Sequence, residues 1–171
     1  MNFSELAEKR YSVRKFSDKQ IEPDIMNKIL TAGNVAPTGC NKQPQRIYVV
    51  TSPEKLEILN KVSKCIFGAK TVLVFAYDTT EDWKNPLEEG VHSGVQDISI
   101  VATHIMLQAW ELGIGSCWVN YFSPSRLESE LALPENEKAV LLMPMGYPAD
   151  DSEPIAMHYQ CKELSETVRF I

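Results

Sequence analysis

The stretch from Thr71 to Tyr77 carries Val72, Leu73, Val74, Phe75 and Ala76 in unbroken succession. Side chains along a strand alternate between its two faces, so an apolar run without polar alternation predicts a strand covered on both sides. Helices must then pack on a buried sheet. A second constraint runs from about Val95 to Leu112, where Ile98, Val101, Ile105, Ala109 and Leu112 recur at three- and four-residue spacing and predict the longest helix. Ile100, Met106, Leu107 and Trp110 add apolar surface beyond that stripe. Such a helix calls for a second covering layer or a partner subunit. Asp97, His104, Gln108 and Glu111 interrupt it too often for a membrane span.

Shorter signals fill in the rest. A polar N-terminal segment around Leu6 and Ala7 predicts a helix ending near the basic cluster Lys9-Arg10-Tyr11-Ser12-Val13-Arg14-Lys15. Glu22-Pro23 opens a helix with Ile25 and Ile29 on its apolar face and Gly33 as its stop. Residues 36–41 read as loop, Arg46 to Thr51 as a strand, and Ser52-Pro53-Glu54 as the start of a helix buried through Leu56, Leu59 and Val62. Gly113 ends the long helix, Ser116 to Phe122 reads as a strand, and Ser123-Pro124 begins a helix through Leu131. Ala139 to Met145 is the last core strand, closed by Gly146-Tyr147-Pro148 and followed by a polar tail. The connection from Thr79 to Gly94 suits a lid or substrate loop, with Trp83 either covering a substrate or anchoring the loop.

At 171 residues, with 44% hydrophobic and 23% charged positions, residues 1–171 read as one domain with its own core. A formal charge of -6 argues against nucleic acid or an anionic membrane as partner and leaves a small-molecule ligand as the expectation. Cys40, Cys65, Cys117 and Cys161 lack the paired spacing of a metal site and read as reduced thiols. With no apolar leader after Met1-Asn2-Phe3-Ser4-Glu5, a cytoplasmic location is expected.

Two segments carry the chemistry. In an extended segment Arg10, Ser12 and Arg14 point the same way, placing two guanidinium groups and a hydroxyl on one face. Guanidinium forks match phosphate oxygens, though a solvated basic turn fits the same spacing. The loop Ala36-Pro37-Thr38-Gly39-Cys40-Asn41-Lys42-Gln43-Pro44 offers a stiff backbone with donors and acceptors suited to a flat heteroaromatic edge, or is a plain turn. Cys40 and Cys117 read as structural cysteines, His104 as an interface histidine, and His92 as a residue that could approach a substrate. Gly113-Ile114-Gly115 is a weak match to a nucleotide loop, and Tyr121 or Phe122 could stack on a flat substrate or sit in the core.

Taken in order, residues 9–16 and 36–44, then 69–76, 97–109, 112–118 and 145–148, closely resemble the nitroreductase family of FMN-dependent oxidoreductases. The resemblance spans nearly the whole chain, and the ordered set carries it more than any one piece. It implies an α+β fold, a three-layer α/β/α sandwich with a central mixed β-sheet, assembled as an intertwined homodimer with FMN at two inter-subunit sites. A compact member of the family would lack the larger members' helical insertions and leave its pocket open.

By the same resemblance Arg10, Tyr11, Ser12 and Arg14 hold the FMN phosphate and the pyrimidine side of the flavin, with Arg14 reaching the ring. Pro37, Thr38, Gly39 and Asn41 come from the other subunit. A backbone amide near flavin N5 falls at Asn120 or Tyr121, and Lys162 completes the phosphate site, with His158 helping when protonated. No side chain acts as a nucleophile, because flavin N5 carries the hydride. The expected activity passes hydride from NADH or NADPH to electron-poor acceptors such as nitroaromatics or quinones. The alternatives are a flavin-binding or regulatory module without turnover, or a family enzyme acting on flavin, halogenated aromatics or enones.

Overall fold

In the computed structural model, which describes residues 2–171, strand β2 (Thr71–Asp78) is buried on both faces. Val72 and Val74 point to one side and Leu73 and Phe75 to the other, all without solvent exposure. Each side feeds a separate core. Leu73 and Phe75 join Ile98, Val101 and Ile105 of α4 (Gly94–Glu111) and Ile29 of α2 (Pro23–Asn34). Val72 and Val74 join Leu59 of α3 (Pro53–Val62) and Leu127 of α5 (Pro124–Leu131). The result is the expected three-layer α/β/α sandwich.

The sheet runs β1 (Gln45–Val50), β2, β4 (Glu137–Gly146), β3 (Gly115–Ser116). All three ladders are antiparallel, and the mixed character expected of the sheet is confined to one isolated parallel bridge, Ser12 with Ser116. β4 repeats the two-sided pattern, with Leu141, Met143 and Met145 facing α4 and Leu142 facing the opposite layer. α1 (Phe3–Lys9) packs on α4, and the tail carries a 3-10 turn at Ala156–Tyr159 and the short α6 (Leu164–Thr167).

Two further expectations need correction. The strand expected over residues 116–122 is regular only through Ser116, because its partner position Pro144 has no N–H to donate. Pairing still continues irregularly, with Cys117 N–H donating to the Pro144 carbonyl at 3.1 Å and Val119 exchanging bonds with Leu142. Gly33 does not end its helix, which runs to Asn34. It is buried where α2 crosses α4, and an added methyl there would lie 2.6 Å from Ile105 Cδ1. Ile105 is fully buried within this chain, and the apolar surface that α4 leaves open lies at the exposed Val95 and Ile100 and the half-buried Leu107.

The 79–94 connection folds back on itself instead of hanging free. Asn85 N–H donates to the Val91 carbonyl at 2.9 Å, Ser93 N–H to the Trp83 carbonyl at 3.0 Å, and Lys84 bridges His92. Trp83 is half-buried at the base of this hairpin, while Leu87 at the tip is exposed.

Where the hairpin enters α4, Gly94 is required by crowding: an added methyl would be driven into the Tyr77 ring. Gly94→Ala gains up to about 1 kcal/mol of helix propensity, but overpacking a filled site costs about 1–3 kcal/mol. Thermal denaturation should show a lower Tm, by about 2–4 °C for each net kcal/mol. An unchanged or raised Tm would mean that Tyr77 swings aside freely.

Candidate functional site

The segment after α1 is extended, as the alternation of Arg10, Ser12 and Arg14 predicts. Val13 N–H donates to the Ser116 carbonyl at 2.9 Å, which lays the segment along β3. The Val13 side chain is fully buried in a notch that exists because residue 115 is glycine: an added methyl would lie 2.5 Å from Val13 Cγ2. Gly115 is thus a packing residue. Gly113, at φ +78°, turns the chain out of α4, so Gly113-Ile114-Gly115 has a structural account that needs no nucleotide.

With Val13 turned inward, its neighbours face outward into a cleft of about 290 Å³ lined by Arg10, Tyr11, Ser12, Arg14, Met157 and His158. Among the described residues neither Arg10 nor Arg14 is paired with a carboxylate. Arg14 Nη1 donates to the Ser12 carbonyl at 3.0 Å, which steadies the guanidinium and leaves its remaining donors to face the cleft. Tyr11 fixes the back wall. Its hydroxyl donates to the Ser152 carbonyl at 3.0 Å, and its ring meets Trp110 edge-on at 5.1 Å and His158 at 6.3 Å. On the adjoining side Lys15 pairs with Asp151 at 2.7 Å, and that hydrogen bond raises the lysine above its ordinary pKa.

Cys117 lies behind this segment. Contrary to its sequence surroundings, it has basic neighbours in space, Arg14 and Arg10, and a hydrogen-bonding neighbour in Ser12. Burial outweighs them and pushes the thiol up, so it stays protonated and inert.

The 37–41 loop is built under strain. Cys40, Asn41 and Gln43 adopt left-handed backbone, with φ 49°, 54° and 51°. For non-glycine residues that conformation costs about 1–2 kcal/mol each. Two contacts hold it: Gln43 N–H donates to Thr38 Oγ1 at 3.0 Å, and Gly39 N–H donates to Asp97 Oδ1 at 2.8 Å. Asp97 is buried in the first turn of α4, and its other oxygen accepts from Ser93 Oγ at 2.7 Å. Its anchoring role is not readable from the spacing, which marks it only as a break in an apolar helix. The legible signal is an acid in the first turn of a helix, where the backbone dipole favours it.

The other candidates are spread over the surface. Asn120 is exposed, accepting from Trp118 Nε1 at 2.6 Å and donating to the Val140 carbonyl at 3.1 Å. Tyr121 is exposed with its carbonyl held by Ser63 Oγ, while Phe122 packs on the α3/α5 core. Lys162 is exposed beyond the cleft, whereas His158 lines it. His104 is half-buried, its Nδ1 2.9 Å from the Ile100 carbonyl, on an apolar groove of about 900 Å³ between α1, α2 and α4. Pro37, Thr38, Gly39 and Asn41 do not line the Arg10 cleft within one chain.

The model of the nitroreductase family matches residues 7–67 and 60–147. A nitroreductase family protein of Clostridium difficile 630, known from its crystal structure, is 38% identical, with a TM-score of 0.92 over 99% of this chain and 98% of that one. An FMN-dependent nitroreductase of Clostridium difficile R20291 is 27% identical, with a TM-score of 0.78 and 98% of each chain covered. A protein of Archaeoglobus fulgidus, provisionally named NADH dehydrogenase/NAD(P)H nitroreductase, is 31% identical over 84% of each chain.

Asp97 offers a direct check on how the loop is held. Asp97→Ala strands the Gly39 N–H and the Ser93 hydroxyl, and should destabilise the fold by about 1–3 kcal/mol. Asp97→Asn keeps an acceptor and should fall between the two. Denaturant titration, with limited proteolysis of the 37–43 loop, measures both effects. Wild-type stability and loop protection in Asp97→Ala would show that the contact contributes nothing.

Proposed function

The chain belongs to the nitroreductase family and is an oxidoreductase, and from that premise we propose that it binds FMN and transfers reducing equivalents from NADH or NADPH to electron-poor acceptors such as nitroaromatics or quinones. The observation that carries the reading is the pair of guanidinium groups without carboxylate partners, with a serine hydroxyl, on one cleft of a chain whose net charge is -6. Two unpaired cations on one face suit a dianionic phosphate, which accepts charge-assisted bonds from both. FMN, when bound, supplies the hydride relay between nicotinamide and acceptor.

The chain's own residues do the rest. Arg10 and Ser12 hold the phosphate, Tyr11 backs them, and Arg14 lies toward the pyrimidine edge, where a fixed positive charge favours the reduced, anionic ring. Lys162 adds a cation at the phosphate, and a backbone amide at Asn120 or Tyr121 lies near N5. Pro37, Thr38, Gly39 and Asn41 close over the ring from a second subunit.

A homodimer accounts for features that one chain leaves unsatisfied. The groove between α1, α2 and α4 presents Phe3, Val35 and Leu107. In the tail Leu164, Phe170 and Ile171 are exposed, although apolar surface of this kind is ordinarily covered. The strained 37–41 loop and the Arg10 cleft are separate in one chain, and a second copy lets each complete the other.

Three measurements test the reading. Anaerobic NADH or NADPH should bleach the yellow holoprotein, and a quinone should restore the colour; protein that cannot be loaded with FMN sinks the proposal. Arg10→Ala should weaken FMN binding roughly ten- to a hundredfold, the loss of about 1.5–3 kcal/mol for a charge-assisted contact, and unchanged affinity removes Arg10 from the site. Leu107→Glu should yield a folded monomer without flavin by light scattering and absorbance, since a charge placed on the groove opposes association. A flavin-loaded monomer would refute the shared site.

A further inference from the structure

Asp82 is the least explained group in the molecule. Its side chain is 1% exposed, Oδ2 lies 3.2 Å from His92 Nδ1, and Oδ1 is buried without a hydrogen-bond partner. A buried carboxylate oxygen left unpartnered is destabilising, and Asp82 caps no helix and pairs with no lysine or arginine among the described residues. Its one polar side-chain partner is an imidazole 43% open to solvent. The fold spends several contacts to hold the two together: Asp82 N–H donates to the Asp78 carbonyl at 3.1 Å, and the Lys84–His92 bridge zips the hairpin above them.

The hairpin also sets where His92 stands. The next residue, Ser93, packs against Gly39: a methyl added to Gly39 would lie 2.9 Å from Ser93 Oγ and 3.0 Å from Trp83 Cβ. His92 therefore stands one residue from the contact that supports the 37–41 loop. Its Nδ1 is committed to Asp82, which fixes the tautomer and leaves Nε2 as the nitrogen free to act.

We infer that His92, oriented by Asp82, hands the acceptor the proton that accompanies its reduction. The inference rests on the oxidoreductase reading above. A quinone becoming a hydroquinone takes up two electrons and two protons. The hydride that originates in NAD(P)H brings both electrons and one proton. The second proton comes from Nε2 of the His92 imidazolium: the N–H bond breaks, an O–H bond forms on the quinone oxygen, and neutral imidazole remains to be reprotonated by water.

The test compares two acceptors on the flavin-loaded protein in stopped flow. A benzoquinone needs protons, whereas ferricyanide takes one electron and no proton. In His92→Gln, reoxidation by the quinone should slow about a hundredfold, the lower end of what a positioned general acid contributes. Reoxidation by ferricyanide and reduction by NAD(P)H should stay within about twofold. A second readout needs no turnover: nitrogen-15 NMR of the unloaded protein should show His92 locked in one tautomer, with its Nδ1–H bonded, and Asp82→Leu, which removes the acceptor, should release it. Equal slowing with both acceptors, or none with either, overturns the proton-donor role while leaving the oxidoreductase reading intact. Failure to load flavin at all overturns both, and a His92 that is unlocked in the wild type removes Asp82 as its positioning residue.

Discussion

Strand β2 leaves no face for water. Burying Val72, Leu73, Val74 and Phe75 completely stabilises the fold by about 1.5–3 kcal/mol per side chain, before the entropy of ordering them is set against it. Satisfying both faces forces a helical layer onto each, and satisfying both edges forces β1 on one side and β4 on the other. The position of the cleft follows from that demand. β4 recruits β3, β3 recruits the extended Arg10–Arg14 segment through Val13 and Ser116, and Val13 drops into the notch at Gly115. The cations reach the surface because the residue between them is nailed to the core.

That chain of dependence also separates what is legible in the sequence from what is not. Apolar runs and helical spacing report burial directly, so the two-sided strand, the long helix and the alternating basic segment are all readable from residue order. Pairing partners are not. The short β3 follows from Pro144 standing opposite, a fact of register that no local pattern around residues 116–122 contains. Gly33 reads as a helix stop because glycine is common there, yet it answers to Ile105, seventy-two positions away in the chain and in contact across two helices. Periodicity likewise identifies the apolar stripe of α4 but not which layer covers it.

The candidate site divides along the same line. Arg10, Ser12 and Arg14 carry their chemistry in their side chains and their geometry in a two-residue repeat, and both survive in sequence. The 37–41 loop carries its function in backbone shape. Three left-handed positions, Cys40, Asn41 and Gln43, are filled by residues that do not advertise that conformation as glycine would. What makes that shape tenable is Asp97, fifty-eight residues downstream of Gly39. Local charge also resolves the apparent conflict between an acidic chain and the proposed anionic ligand. Net charge governs encounter at long range, where salt screens it, whereas two unpaired guanidinium groups act at contact distance.

Asp97 and Asp82 are both buried and invite the same structural explanation, but only one accepts it. Both oxygens of Asp97 are engaged, one by the Gly39 N–H and one by Ser93, so its burial is accounted for by what it holds in place. Asp82 holds a hairpin that already has its own backbone bonds, and half of its carboxylate meets nothing. If Asp82 only braced the hairpin, an asparagine or a leucine would fill the space without the desolvated charge. A buried carboxylate set against a part-exposed imidazole has a reason to persist under the proposed proton transfer, because it engages Nδ1 and leaves Nε2 as the nitrogen free to act.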